Sequence, residues 1–206
     1  MPALTRERIL ETAVAMADRE GFEAVTLRRI ASELGVHVTS LYNHVPTRDA
    51  VTDGIVELLM EEAQLPAAPV GWEEWVRRFF AAMEALAVAH SGAFTALERR
   101  PVQGARAAAS FEAALAAFAR AGFGPADAYN AVKATALTAL AVGLERSLSV
   151  RDPAAETVIA ELPPDRFPRV RSLDELTDLE PVWAFSLETL VAGLRAQVEL
   201  RADAGA

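Results

Sequence analysis

The chain has 206 residues, 52% of them hydrophobic and 24% charged, enough apolar material to give one large domain, or a small domain joined to a larger one, a full core. It contains no cysteine, which excludes disulfide frameworks, thiolate zinc sites and cysteine catalysis and fits a reducing cytoplasm. The net charge of −9 is unevenly spread: residues 1–50 carry six Arg against seven acids, so a nearly neutral N-terminal region adjoins a strongly acidic remainder that nucleic acid would repel.

No window approaches the ~18 unbroken apolar residues that a membrane span needs, and charges interrupt every apolar stretch of the N-terminus. Secretion and membrane insertion are therefore not expected. Period-2 alternation and hairpin dipeptides are missing, whereas apolar residues three and four apart recur throughout, so the chain reads as all-α. A first helix is predicted from an N-cap at Thr5 to Glu20, stopped by Gly21. A second follows a cap at Thr26, burying Leu27, Ile30, Ala31 and Leu34 before Gly35. A short helix over His37–His44 comes next, then Pro46 and a longer helix from Thr47 to Gln64. Residues 65–71, LPAAPVG, form a break. Beyond it an amphipathic helix runs from Trp72 to Ser91, with Trp72, Trp75, Val76, Phe79, Met83 and Leu86 on one stripe. Further helices are predicted over Gln103–Ala121, Pro125–Leu148 and Pro181–Leu200. The segment holding Pro153, Pro163, Pro164 and Pro168 reads as an irregular loop with a helical turn or two.

The stretch Thr26–Arg48 carries the most chemistry. Two short helices joined through Gly35 and Val36 make a helix-turn-helix, glycine supplying the positive φ of the tight turn. Val36, Leu41 and Val45 then face the first two helices, which leaves His37, Thr39, Ser40, Asn43 and His44 pointing outward. Short hydrogen-bonding side chains suit a major groove, where they reach base edges and phosphates. Thr26, Arg28 and Arg48 flank that face as phosphate clamps, and Tyr42 sits at its edge with its ring inward. Val38 reads either as core or as a contact to a thymine methyl group. The same pattern also fits an ordinary helical hairpin with a polar outer face.

This region resembles the DNA-binding head of the TetR family of bacterial transcriptional regulators. The resemblance rests on RERILETAVAMADREGFEAVTLRRIASELGV and on Ser40-Leu41-Tyr42-Asn43-His44-Val45, followed by a turn and Arg48. The remainder is similar to the tetracycline repressor subgroup in its Trp72 helix, Ala89-His90-Ser91-Gly92, Arg100-Pro101, Ala121-Gly122-Phe123, Gly143-Leu144-Glu145 and Phe185–Leu194. The resemblance implies a helix-turn-helix domain over residues 1–46 and an effector-binding and dimerisation body over 47–206, with 47–64 as the linking helix. It implies a homodimer, a palindromic double-stranded operator and a small-molecule effector, with no membrane partner. The last two long helices agree, since both are apolar over more than one stripe and need a second buried face.

Tetracycline repressors hold a Mg²⁺-chelated drug, but the best-matching positions here are Gln64, Phe79, Met83, Ala96 and Arg99, with only Glu145 retained. These offer few oxygen ligands to a hard cation. The expected effector is instead largely apolar, lined by Trp75, Phe79, Met83, Phe94 and Phe111 with Gln64, Arg99 and Glu145 as polar handles. No metal site or cofactor is expected. The three histidines are scattered, and His90 reads as a helix-end residue bonded to backbone carbonyls. Glu61-Glu62 and Glu73-Glu74 read as solvated faces. No Ser-His-Asp order stands out, and no strand precedes Gly122-Phe123-Gly124, so the chain is not read as an enzyme. The alternative is a helical small-molecule carrier or enzyme whose N-terminal hairpin is purely structural.

Overall fold

The computed structural model describes residues 3–99, 104–151, 162–171 and 180–204, and among these there is no strand. The first four helices are α1 (Arg6–Glu20), α2 (Leu27–Leu34), α3 (Val38–Leu41) and α4 (Arg48–Glu62). Three of them begin on a threonine whose hydroxyl accepts from the backbone amide three residues on: Thr5 from Arg8 at 3.2 Å, Thr26 from Arg29 at 3.3 Å and Thr47 from Ala50 at 3.0 Å. Each cap satisfies an amide that has no partner inside the helix. Gly35 ends α2 at φ 66°, ψ 32°, a left-handed conformation that costs glycine nothing and turns the chain into α3.

The boundaries of α1 and α2 match expectation, but α3 is half the predicted length. Regular helix stops at Leu41 and a turn carries the chain to His44, because the short polar sequence lacks the apolar contacts that would hold a second helical turn. α4 stops at Glu62 rather than Gln64, where Ala63 leaves helical geometry.

The remaining helices are α5 (Trp72–Ala89), α6 (Ala96–Arg99), α7 (Ala105–Arg120), α8 (Pro125–Arg151), α9 (Pro168–Arg171) and α10 (Glu180–Ala204). A 3₁₀ turn over Ala93–Thr95 and the short α6 fill a stretch for which no helix was predicted. Arg100, Pro101, the start of the predicted Gln103 helix and Pro153 lie outside the described residues. α5 packs along α8, with α7 and α10 on either side. One apolar core runs from Ile9 of α1 through Trp75 and Phe80 of α5 to Leu194 of α10. On α5 it is Phe80, not Phe79, that is fully buried, in edge contact with Trp183 at 5.3 Å between ring centres. No helix among the described residues is long and apolar enough to cross a membrane.

Candidate nucleic-acid interface and ligand cavity

The N-terminal surface is built on a small core. Leu41 and Val45 are buried against α1 and α2 with Ile30 and Ala31, and Val36 packs partly buried beside them. This arrangement turns the intervening polar side chains outward. His37, Thr39 and Asn43 are exposed, and Ser40 and His44 are half-buried. The His37 ring Nδ1 and the Thr39 hydroxyl lie 2.9 Å apart, which preorders two of these groups. Val38, open to two readings from sequence, packs partly buried against the core. Tyr42 is 50% exposed, so its ring does not turn inward as expected.

The flanking residues differ in what they have free. Thr26 is exposed but its hydroxyl already caps α2. Arg28 is exposed and makes no ion pair with the described residues. Arg48 donates to Glu23 at 3.1 Å. Glu23 is shared: the Arg99 guanidinium also donates to it, and Arg99 in addition lies 5.1 Å from the centre of the Phe22 ring. Arg48 and Arg99 together hold the Glu23 carboxyl below its ordinary pKa, Arg48 making the larger contribution.

A cavity of about 810 Å³ opens between α4, α5, α6, α7 and α8. Of the residues predicted for an effector site, it brings together Trp75, Phe79, Met83, Arg99 and Phe111. Trp75 and Phe79 stack with ring centres 5.0 Å apart, and the Trp75 indole N–H is spent on the carbonyls of Pro66 and Ser110. Gln64, Phe94 and Glu145 are not on its wall. Phe94 is fully buried in the core, Glu145 is exposed on α8, and Gln64 borders a separate open groove between the end of α4 and α5. Sequence reasoning missed Tyr129, Lys133 and Leu137, one face of α8 that joins the wall. The wall offers one carboxylate, Glu98, and among the described residues no cluster of three His or acidic side chains could hold a metal. These residues do not fit a magnesium-chelated ligand.

A third polar centre joins the N-terminal helices to the rest. His90, at the end of α5, does not bond backbone carbonyls as predicted. Its Nδ1 meets Asp18 of α1 at 2.7 Å and its Nε2 meets Glu62, the last residue of α4, at 3.0 Å. Asp18 also accepts from the amides of Gly92 and Ala93 at 3.1 and 2.9 Å. The two carboxylates, Asp18 first, raise the imidazole pKa to about 9 against the opposing effect of burial. The acidic pairs read as solvated are engaged too: besides Glu62, Glu73 meets Arg77 and Arg195, Glu74 meets Arg78, and Glu61 lies 3.6 Å from Arg106.

Residues 9–53 match the family model of the bacterial regulatory proteins of the tetR family. In this segment the chain is similar to the DNA-binding part of TetR-family regulators. Over 127 residues it is 36% identical to an HTH-type transcriptional regulator of Saccharopolyspora erythraea, a match covering 61% of this chain and 54% of that protein. The chain thus spans about half the length of that relative, and 30% of a second, the transcriptional repressor DrrR1 of Streptomyces coeruleorubidus. It is 28% identical over 207 residues to the class D tetracycline repressor of Escherichia coli, covering 96% of this chain and 92% of the repressor. Among solved structures, apo ActR of Streptomyces coelicolor superposes with a TM-score of 0.77 at 27% identity, covering 97% of this chain and 98% of ActR. ActR bound to actinorhodin gives a TM-score of 0.75 at 26% identity, covering 96% and 98%. A helix-turn-helix head on a helical body is therefore the architecture of this chain.

Proposed function

We propose that this protein is a ligand-responsive transcriptional repressor of the TetR family, with residues 1–46 as the DNA-binding unit and 47–206 as the effector-binding and dimerisation unit. The observation that carries the reading is the outward set His37, Thr39, Ser40, Asn43 and His44, held over a buried Leu41 and Val45 with the unpaired Arg28 beside it. Such a surface gives base edges hydrogen-bond partners and phosphates a cation. The partners are a double-stranded operator and a second copy of the chain, and the cellular location that follows is the cytoplasm.

Dimerisation is supported by apolar side chains that the single chain leaves in solvent. On α8, Leu148 and Val150 are 59% and 46% exposed, and on α10, Phe185 and Leu200 are 73% and 62% exposed. Gly193 on α10 has nothing within 4 Å of where a Cβ would stand, which leaves room for close approach of another helix. Pairing these helices across a two-fold axis buries the second face that each carries and sets the two heads about one DNA turn, ~34 Å, apart.

ActR has been solved bound to actinorhodin, and the cavity here supports the same class of behaviour for this chain, with a largely apolar effector. Met60 near the end of α4 lines it, and the start of α4 adjoins the helix-turn-helix. An effector that favours a displaced α4 changes the separation of the heads and weakens operator binding. Selection of duplexes from a random pool tests the reading. A palindrome with half-sites one turn apart and salt-sensitive retention that Tyr42→Ala or Arg28→Ala weakens is expected. No retention at low salt overturns it.

A further inference from the structure

The basic residues of this protein are almost all arginine, and Lys133 is the only lysine in the sequence. It stands on the wall of the cavity, one turn of α8 beyond Tyr129. The wall carries three ionised groups, Glu98 and Arg99 on α6 and Lys133 on α8. Arg99 is already committed to Glu23 and to the Phe22 ring. Lys133 is exposed and makes no ion pair or hydrogen bond with the described residues. A chain of net charge −9 thus presents an uncompensated ammonium inside a mostly apolar chamber. An unpaired cation on the wall of such a chamber favours an anion that brings its own apolar surface.

The rest of the wall says what that surface is. Trp75 and Phe79 stack on one side, and Phe111 and Tyr129 meet edge to face with ring centres 6.2 Å apart on the other. Aromatic faces and edges favour other rings at stacking and edge distances, and a volume of about 810 Å³ accommodates several fused rings. We propose that the effector is a planar aromatic acid, its fused rings among these two ring pairs and its anionic group on Lys133. Glu98, on a different helix, repels the acid group and so fixes which way the ligand lies. The proposal rests on the reading of this cavity as the effector site and adds the charge and shape of what it takes.

The test compares anthracene-2-carboxylate with anthracene-2-carboxamide, a neutral molecule of nearly the same shape, by calorimetric titration of the full-length protein. The acid is expected to bind about tenfold more tightly. Lys133→Met should bring it down to the affinity of the amide while leaving the amide unchanged, and Lys133→Arg should keep the preference. Equal binding of the two probes by the unmodified protein overturns the acid proposal while leaving the cavity as an aromatic site. A preference that survives Lys133→Met overturns the role of Lys133. Binding of neither probe removes the aromatic effector altogether, and this proposal with it.

Discussion

The N-terminal helices and the helices from α5 onward solve the burial problem in opposite ways. α1, α2 and α3 close around one end of the shared core and spend their remaining surface on polar groups, so that Ile9, Ile30 and Leu41 are fully buried while Thr39 and Asn43 stand in water. α8 and α10 are apolar on more than one side, and the single chain buries only part of that surface, leaving Phe185 and Leu137 exposed. A small unit with its large aliphatic side chains buried can present a fixed polar face to a partner as highly charged as DNA. A larger unit with unburied apolar surface has a second copy and a cavity available as partners. The two meet at Asp18, His90 and Glu62, and the sharpest tests of the contrast are changes that weaken one side or the joint between them.

The largest effect is expected from Phe80→Ala. The ring is completely buried and packs against Trp183, so its removal should cost about 3–5 kcal/mol. Chemical denaturation followed by tryptophan fluorescence reports the body, since Trp72, Trp75 and Trp183 all lie in it. Exchange of the Leu41 and Val45 amides reports the N-terminal core. Loss of protection in both regions together would show that one cooperative unit spans them and would break the contrast.

The joint itself is tested next. At Gly92 a Cβ would stand 1.9 Å from the carbonyl oxygen of Ala17, a backbone atom that cannot swing aside. Gly92→Ala is expected to cost about 2–3 kcal/mol or to push α1 away from the 3₁₀ turn. Loss of exchange protection at the Gly92 and Ala93 amides, which donate to Asp18, would reveal the second outcome.

A smaller effect comes from the charge on His90. Its folded pKa, about 9, lies above the ordinary 6.5, so the imidazolium stabilises the fold fully below pH 6.5 and that contribution disappears as pH rises through 9. The expected loss across this window is about 2 kcal/mol. In His90→Gln the stability profile should be flat over the same range. An unchanged profile in the variant would remove His90 as the cause.

How much of this was readable before the fold was known follows the same division. Thr5, Thr26, Thr47 and Gly35 act on amides and dihedrals within four residues, so sequence spacing is enough to place α1, α2, the start of α4 and the outward face of Thr39 and Asn43, though not the end of α3. The cavity depends on contacts between helices far apart in the chain. Phe79 and Phe80 are adjacent and equally apolar; the periodic stripe picks out Phe79, which stands on the cavity wall, but gives no sign that packing against Trp183 buries Phe80. Phe94 and Glu145 carry no local signal that separates core or solvent from cavity wall. The partners of His90 lie 72 and 28 residues away, beyond any pattern of spacing. Lys133 did have a signal, since a lone lysine among arginines can be counted, but nothing in the sequence places it on the same cavity wall as Phe111.

The smallest effect probes the N-terminal surface directly. Glu23 divides its charge between Arg48 and Arg99, and its side chain is 69% exposed, so solvent screens both pairs and they add little to stability. In Glu23→Gln the Arg48 guanidinium is released to meet a phosphate, which should tighten operator binding by about two- to fivefold and steepen its salt dependence. The same substitution frees Arg99 on the cavity wall, so an acidic ligand should gain a second cation and bind more tightly as well. If operator affinity instead falls, the Glu23 bridge holds Arg48 in place for DNA rather than competing with DNA for it. Arg48→Gln should weaken operator binding in either case while leaving the Arg99 pair intact, which assigns the effect to Arg48 rather than to Arg99.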